Sequence, residues 1–163
     1  MRHRLTRELP YTPDQLFALV GDVKSYPDFV PWITGMRVSN PQDPEPGVDS
    51  IDAEAGVGFA FLTERFSTRV RRDSNRREIL VGLIRGPFRR LDNRWRFSVH
   101  PSGTLVEFSI DFEFKSRLLE ALLAANLGRA VDRLIACFEA RAKALYGKNP
   151  SPPAGEGGPE GVG

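Results

Sequence analysis

One stretch near the C-terminal end constrains the fold more than any other. Between Ser116 and Tyr146, the residues Leu119, Leu122, Leu123, Leu127, Val131, Leu134, Ile135, Phe138, Ala142 and Leu145 recur at three- and four-residue steps, the spacing that lines up side chains along one side of an α-helix. Glu120, Arg129, Asp132, Arg133, Glu139, Arg141 and Lys143 occupy the opposite side. Ser116 has the chemistry of an N-cap with Glu120 close behind it, and Gly147 is the residue type that ends helices. The pattern predicts one amphipathic helix of roughly seven to eight turns, well above the globular mean of about three. A stripe of that length needs an equally long apolar partner surface.

The upstream chain has the alternation to supply it. His3, Leu5 and Leu9 alternate with Arg2, Arg4, Thr6 and Glu8 as a short strand, and Thr12-Pro13 opens a helix with Leu16, Phe17, Leu19, Val20 and Val23 on its apolar side. The segment Tyr26-Pro27-Asp28-Phe29-Val30-Pro31-Trp32 is aromatic and proline-rich. Residues before proline avoid the helical region, so Tyr26 and Val30 are expected to be extended or in turns. A strand from Ile33 to Val38 leads into a turn region from Asn40 to Gly47. Five further runs, 50–61, 62–72, 77–84, 89–99 and 104–114, read as an antiparallel meander, the last two joined by the hairpin turn His100-Pro101-Ser102-Gly103.

In that hairpin Leu91, Asn93, Trp95, Phe97 and Val99 share a face with Val106, Phe108, Ile110, Phe112 and Phe114. The other face carries Arg90, Asp92, Arg94 and Arg96 against Glu107, Ser109, Asp111 and Glu113, where cross-strand charge pairs contribute about 0.2–1 kcal/mol each. The expected fold is therefore α+β, a curved antiparallel sheet wrapped around a long C-terminal helix.

Composition narrows the chemistry. A chain of 163 residues with 40% hydrophobic content forms one domain with a substantial core. Cys137 is the single cysteine, which excludes an internal disulfide and a Cys-rich metal site. His3 and His100 fall on separate elements, so no catalytic residue and no metal site are expected. Gly56-Val57-Gly58 opens like a dinucleotide loop, but Phe61 stands at the third glycine position and no helix follows. No apolar run approaches the length of a membrane span and no signal-peptide pattern is present, so the chain is expected neither to span a membrane nor to be exported. Residues 148–163 are rich in Pro, Gly and Ser and are expected to be a disordered tail.

Net charge is only +2, yet the stretch from Arg65 to Arg96 holds eleven arginines against three acids. Three readings fit: a solvated sheet face neutralised by facing acids, attraction to anionic lipid headgroups, or RNA binding on the ribosome. Arg71, Arg72, Arg76 and Arg77 are the candidate basic surface. Aromatic residues are not interleaved on the outward face, which argues against single-strand recognition, and no feature points to DNA.

Four separated blocks carry a family resemblance. They are Val20 to Trp32; Gly58-Phe59 followed by Glu64-Arg65-Phe66-Ser67-Thr68-Arg69-Val70; Gly86-Pro87-Phe88 through Phe97; and Asp111 to Arg117 with Phe138-Glu139-Ala140-Arg141-Ala142 and Leu145-Tyr146-Gly147. In this order they resemble the coenzyme Q-binding protein family of the START-like superfamily, close to the polyketide cyclase/dehydrase group. The resemblance implies a helix-grip fold over residues 1–147 with an internal hydrophobic tunnel. It further implies non-enzymatic binding of ubiquinone or a related polyisoprenoid in support of respiration and quinone synthesis, with no cofactor. The expected location is cytoplasmic, with peripheral attachment at the inner face of the respiratory membrane. The same family contains bacterial ribosome-association toxins, so a ribosomal partner is the alternative.

Candidate ligand-binding residues come from both sources. Tyr26, Phe29, Pro31 and Trp32 suit the rim of an entrance. Phe59, Trp95, Phe97, Phe108 and Ile110 suit the sheet face, and Leu127, Val131 and Leu134 the facing helix. Asn93, on the face of Trp95 and Phe97, must either satisfy backbone groups or hydrogen-bond a ligand such as a quinone carbonyl, the structural role being favoured.

Overall fold

The computed structural model describes residues 1–59 and 62–147, the side chains of Phe59 and Leu62 excepted. Its strands are β1 (Arg2–Leu9), β2 (Ile33–Glu45), β3 (Val48–Phe59), β4 (Leu62–Asp73), β5 (Glu78–Arg85), β6 (Phe88–His100) and β7 (Gly103–Phe114). They form one curved sheet in the order β1-β7-β6-β5-β4-β3-β2, antiparallel throughout. Helix α1 (Pro13–Gly21) and a 3-10 helix (Val23–Asp28) separate β1 from β2, and α2 (Arg117–Ala124) and α3 (Leu127–Tyr146) follow β7. The tail at 148–163 and the tip between β3 and β4 lie outside the described residues.

Local chemistry accounts for the element ends. The Thr12 hydroxyl accepts from the Gln15 backbone N–H at 3.1 Å while the Gln15 side chain accepts from the Thr12 N–H at 2.9 Å, a complete capping box with Pro13 in the first turn. Ser116 caps α2 by accepting from the Leu119 N–H at 3.3 Å, and Gly147 closes α3 at φ +100°, a conformation that favours glycine.

Three expectations need correction. The C-terminal helix is two helices, because Asn126 leaves helical geometry at φ −128° and ψ 13°. Asparagine competes for backbone hydrogen bonds and Gly128 follows it, so the stripe continues across a locally poor helix former. Second, the expected turn from Asn40 to Gly47 is mostly strand: β2 runs on through Pro41 and Pro44 to Glu45, with register shifts after Ser39 and Gln42. Such prolines are tolerated because β2 is an edge strand and bulges absorb their missing N–H groups. Third, Tyr26, expected to be extended or in a turn, lies inside a 3-10 helix together with Pro27.

Register puts the apolar faces together. Trp95 pairs with Ile79 on one side and Phe108 on the other, and Phe108 pairs with Leu5, making one apolar row across four strands. Val131, Ile135, Phe138 and Ala142 of α3 are buried with this row, as are Leu16, Leu19 and Val20 of α1. Val99, expected on the same face, is 75% exposed at the end of β6. The sheet thus grips α3, with α1 closing one end.

Candidate functional site

The interior is filled unevenly. Ile51, Val70, Ile79, Trp95, Phe97 and Phe108 are buried under α1 and the C-terminal half of α3. Met36, Val38, Val81, Ile110, Leu127 and Leu134 pack against this core yet stay only half-buried. Three of these are register neighbours of core residues: Val81 pairs with buried Val70, Val38 with buried Ala53 and Met36 with buried Ala55. Next to them Phe66, Phe88 and Phe114 meet with ring centroids 5.3 Å and 4.9 Å from Phe88, again half-buried. So the buried core is edged by apolar side chains that stay partly exposed, among them Leu127 and Leu134 at the start of α3 and Phe17 on α1. Sequence reasoning missed Phe66 and Phe88. Alternation with Thr68 and Val70 on β4, and the place of Phe88 opposite Phe114, were the available signals.

The aromatic segment after α1 is fastened to α3. Tyr26 and Phe29 both meet Phe138 at 5.2 Å, and Trp95 meets it at 5.1 Å, which joins loop, helix and sheet in one cluster. The Tyr26 hydroxyl donates to the Val20 carbonyl, and burial, reinforced by nearby Asp22, pushes its pKa well above the ordinary phenol range. The Arg133 guanidinium lies over Trp32 at 5.6 Å and that of Arg141 over Phe29 at 5.2 Å. Pro31 is exposed, whereas Phe29 and Trp32 are half-buried. The side chain of Phe59 lies outside the described residues.

Asn93 has specific partners. Its Nδ2 donates to the Ser109 carbonyl at 2.9 Å, and its Oδ1 accepts from Trp95 Nε1 at 3.0 Å. One amide hydrogen and one lone pair stay uncommitted among these contacts. The side chain is half-buried.

The arginine-rich stretch is largely neutralised. Arg72 contacts Asp49 at 2.7 Å and also donates to the Gly21 carbonyl at 2.8 Å, and Arg77 contacts Asp14 at 2.8 Å. Arg71 reaches Glu45 at 3.8 Å and Arg76 reaches Asp73 at 3.9 Å. Arg94 and Arg96 converge on buried Glu78 at 2.5 Å and 3.4 Å. Arg69 pairs with Asp52, and Arg90 with Asp111 and Glu113. These contacts hold the Asp52 and Asp111 carboxyls below the ordinary aspartate range, chiefly through the hydrogen bonds from Arg69 and Arg90.

Two grooves lie apart from the aromatic cluster. One of about 840 Å³ runs between the end of α1 and the β2–β3 hairpin and is lined by Phe17, Asp22, Glu45, Asp49 and Arg72, among others. Another of about 450 Å³ lies over Arg2, Arg4, Leu80, Asp92, Arg94 and Asp111 and reaches Asn93 and Ile110. Of the candidate ligand-binding residues, only Asn93 and Ile110 line either groove.

Among the described residues, His3, His100 and Cys137 lie on three different elements, β1, β6 and α3. Among the described residues no three His, Cys, Asp or Glu side chains are placed to hold a metal ion. His100, the last residue of β6, lies 3.5 Å from Glu8. Burial raises the Cys137 thiol despite the opposing influence of Arg133, the reverse of an activated thiolate. Among the described residues no helix is long and apolar enough to cross a membrane.

With this geometry in hand, similarity to known proteins is informative. Residues 9–139 match the family described as polyketide cyclase / dehydrase and lipid transport. The ribosome association toxin RatA of Rickettsia prowazekii is 35% identical over 141 residues, 85% of this chain and 93% of the toxin. The mitochondrial coenzyme Q-binding protein COQ10 homolog B of Xenopus laevis is 29% identical over 151 residues, 90% of this chain and 60% of that protein. Among solved structures, the 18 kDa protein CC1736 of Caulobacter crescentus is 60% identical, with a TM-score of 0.77 over 91% of this chain and 99% of that one. A START superfamily protein of Mycobacterium smegmatis shares the fold at 20% identity, with a TM-score of 0.74 over 88% and 98% of the two chains. The seven-stranded grip on α3, the START-like neighbours and the match over residues 9–139 agree: the chain belongs to the polyketide cyclase / dehydrase and lipid transport family.

Proposed function

We propose that the protein binds an isoprenoid quinone, ubiquinone or a close relative, against the partly exposed apolar side chains that edge its core, as a carrier or chaperone that acts without a cofactor. The observation that carries this reading is the half-burial of Met36, Val38, Val81, Ile110, Leu127 and Leu134, apolar side chains packed against the core but not closed over. An isoprenoid tail lying there gains about 0.8 kcal/mol per buried methylene, so several units need no strong polar anchor. The uncommitted amide hydrogen of Asn93 suits a quinone carbonyl, while its existing bonds hold the side chain in place. Similarity to a coenzyme Q-binding protein supports the ligand class.

A non-enzymatic role fits the scattered reactive groups and the raised Cys137 thiol. Such a ligand is dissolved in membranes, which suits a cytoplasmic protein that visits the inner face of the respiratory membrane. The test is tryptophan quenching on titration with ubiquinone in detergent, since Trp95 bonds Asn93 and Trp32 lies against Arg133 of α3. Leu134→Gln, at a half-buried position, should weaken binding at least about tenfold with the fold retained, and Val131→Glu or Phe108→Asp should abolish it. Unchanged quenching in a folded Leu134→Gln protein that also tolerates Ile110→Gln would refute the site.

A ribosomal role is the second reading, favoured by the greater identity to toxins named for ribosome association. It requires the basic surface to act, and charge reversal at Arg71, Arg72, Arg76 and Arg77 should then abolish co-sedimentation with ribosomal subunits while interior substitutions leave it intact. The acid partner beside each of those four arginines weighs against it.

A further inference from the structure

Helix α2 carries more leucine than its own protein covers. Half of its eight residues are leucine, yet none of its residues is buried. Leu119 and Leu123 are half-buried, whereas Leu118 and Leu122, one turn apart, are 65% and 46% exposed. Ala121 and Ala125 are exposed at the spacing that extends this ridge. Between Lys115 and Arg129 the only acid is Glu120, and its carboxylate accepts from the Phe114 N–H at 2.9 Å. Lys115, Arg117 and Arg129 are exposed, and none of them has a carboxylate partner among the described residues.

The β5–β6 turn lies at the same end of the sheet as α2. The Lys115 N–H donates to the Pro87 carbonyl at 2.8 Å, which sets the β5–β6 turn beside α2. That turn is flanked by Ile84, 39% exposed, and by exposed Arg85 and Arg89. Arg89 reaches only Glu113, at 3.9 Å, and Glu113 is already held by Arg90 at 2.6 Å.

We propose that this end, with α2 lying flat, docks on an anionic lipid bilayer. A short helix with exposed leucines along one side and cations at its flanks matches the interface between acyl chains and anionic headgroups. Withdrawing the exposed leucine surface from water and placing the cations beside anionic headgroups both favour the docked state. A second copy of the chain fits poorly, because an antiparallel two-fold pairing of α2 brings Lys115 and Arg117 of one copy toward Arg129 of the other, cation against cation. RNA would leave the leucines unsatisfied. Docking here brings the bilayer to the start of α3, where half-buried Leu127 packs at the edge of the core. The inference deepens the quinone-binding reading and rests on it for its purpose.

The test is co-sedimentation of the full chain with phosphatidylcholine vesicles with and without phosphatidylglycerol, alongside quinone titration in detergent. Binding should require phosphatidylglycerol and weaken with salt. It should fall more than about tenfold in a Leu118→Ser, Leu122→Ser double variant, whose exposed positions leave folding and quinone uptake from detergent intact. Lys115→Glu with Arg117→Glu should remove the preference for anionic vesicles. Wild-type protein that stays in the supernatant with anionic vesicles overturns the proposal, even if it takes up quinone. So does a leucine double variant that binds vesicles as well as wild type, or wild type that co-sediments with ribosomal subunits in preference to vesicles. Vesicle binding that follows these substitutions without any quinone uptake supports the docking face and removes the quinone reading alone.

Discussion

Asn93 shows how one side chain can hold two strands together and still keep a donor free. It ties β6 to the Ser109 carbonyl and orients the Trp95 indole, which stands between Phe108 and Phe138. Asn93→Ala strands the indole N–H, and unfolding in urea should show a loss of about 1–3 kcal/mol. A matching loss of quinone affinity in the same variant is expected only if the spare amide hydrogen meets the ligand head. Asp52 and Asp111 act through charge: their arginine-bonded carboxyls titrate lower folded than unfolded, so their contribution is present above the ordinary aspartate value of 3.8 and lost as pH falls through the depressed folded values. Denaturation midpoints should therefore drop below about pH 4, and Asp52→Asn with Asp111→Asn should flatten that drop. The amide of Asn93 was legible as a buried group needing partners, and its face followed from alternation. The partners themselves were not, because they depend on how β6 registers against β7.

The stripe from Leu119 to Leu145 reads as one helix, and apolar period alone cannot reveal a break that keeps the period. Asn126 and Gly128 were visible but weak signals, each costing at most about 1 kcal/mol in a helix. Their effect emerges because the sheet supports Val131 to Ala142 closely and α2 hardly at all. Gly128→Ala with Asn126→Leu should raise helix content by circular dichroism, since a Cβ at 128 meets His3 only at an ordinary 3.6 Å. Phe138→Ala, at the junction of loop, sheet and helix, should cost about 3–5 kcal/mol in an unfolding titration. The β2 extension escaped sequence reading for a related reason: Pro41 and Pro44 look like a turn until the strand is known to be an edge.

For the molecule as a whole, α+β class, the meander and the grip on a C-terminal helix were all legible, because strand alternation and the helix stripe leave few other ways to bury both apolar faces. Which apolar side chains are sealed in and which stay partly exposed was not, since it depends on where α1 and α3 sit over the sheet. The arginine cluster shows the same limit: its density suggests a basic surface, and only register reveals the facing acids. What distinguishes a carrier from a ribosome-directed protein is then the occupancy of the interior. The most direct measurement is organic extraction of the protein purified from a quinone-producing host, followed by mass spectrometry beside an unrelated protein control. Near-stoichiometric isoprenoid quinone, lost in the Leu134→Gln protein, is the predicted result. A protein that yields none and takes up none when quinone is added would contradict the carrier role.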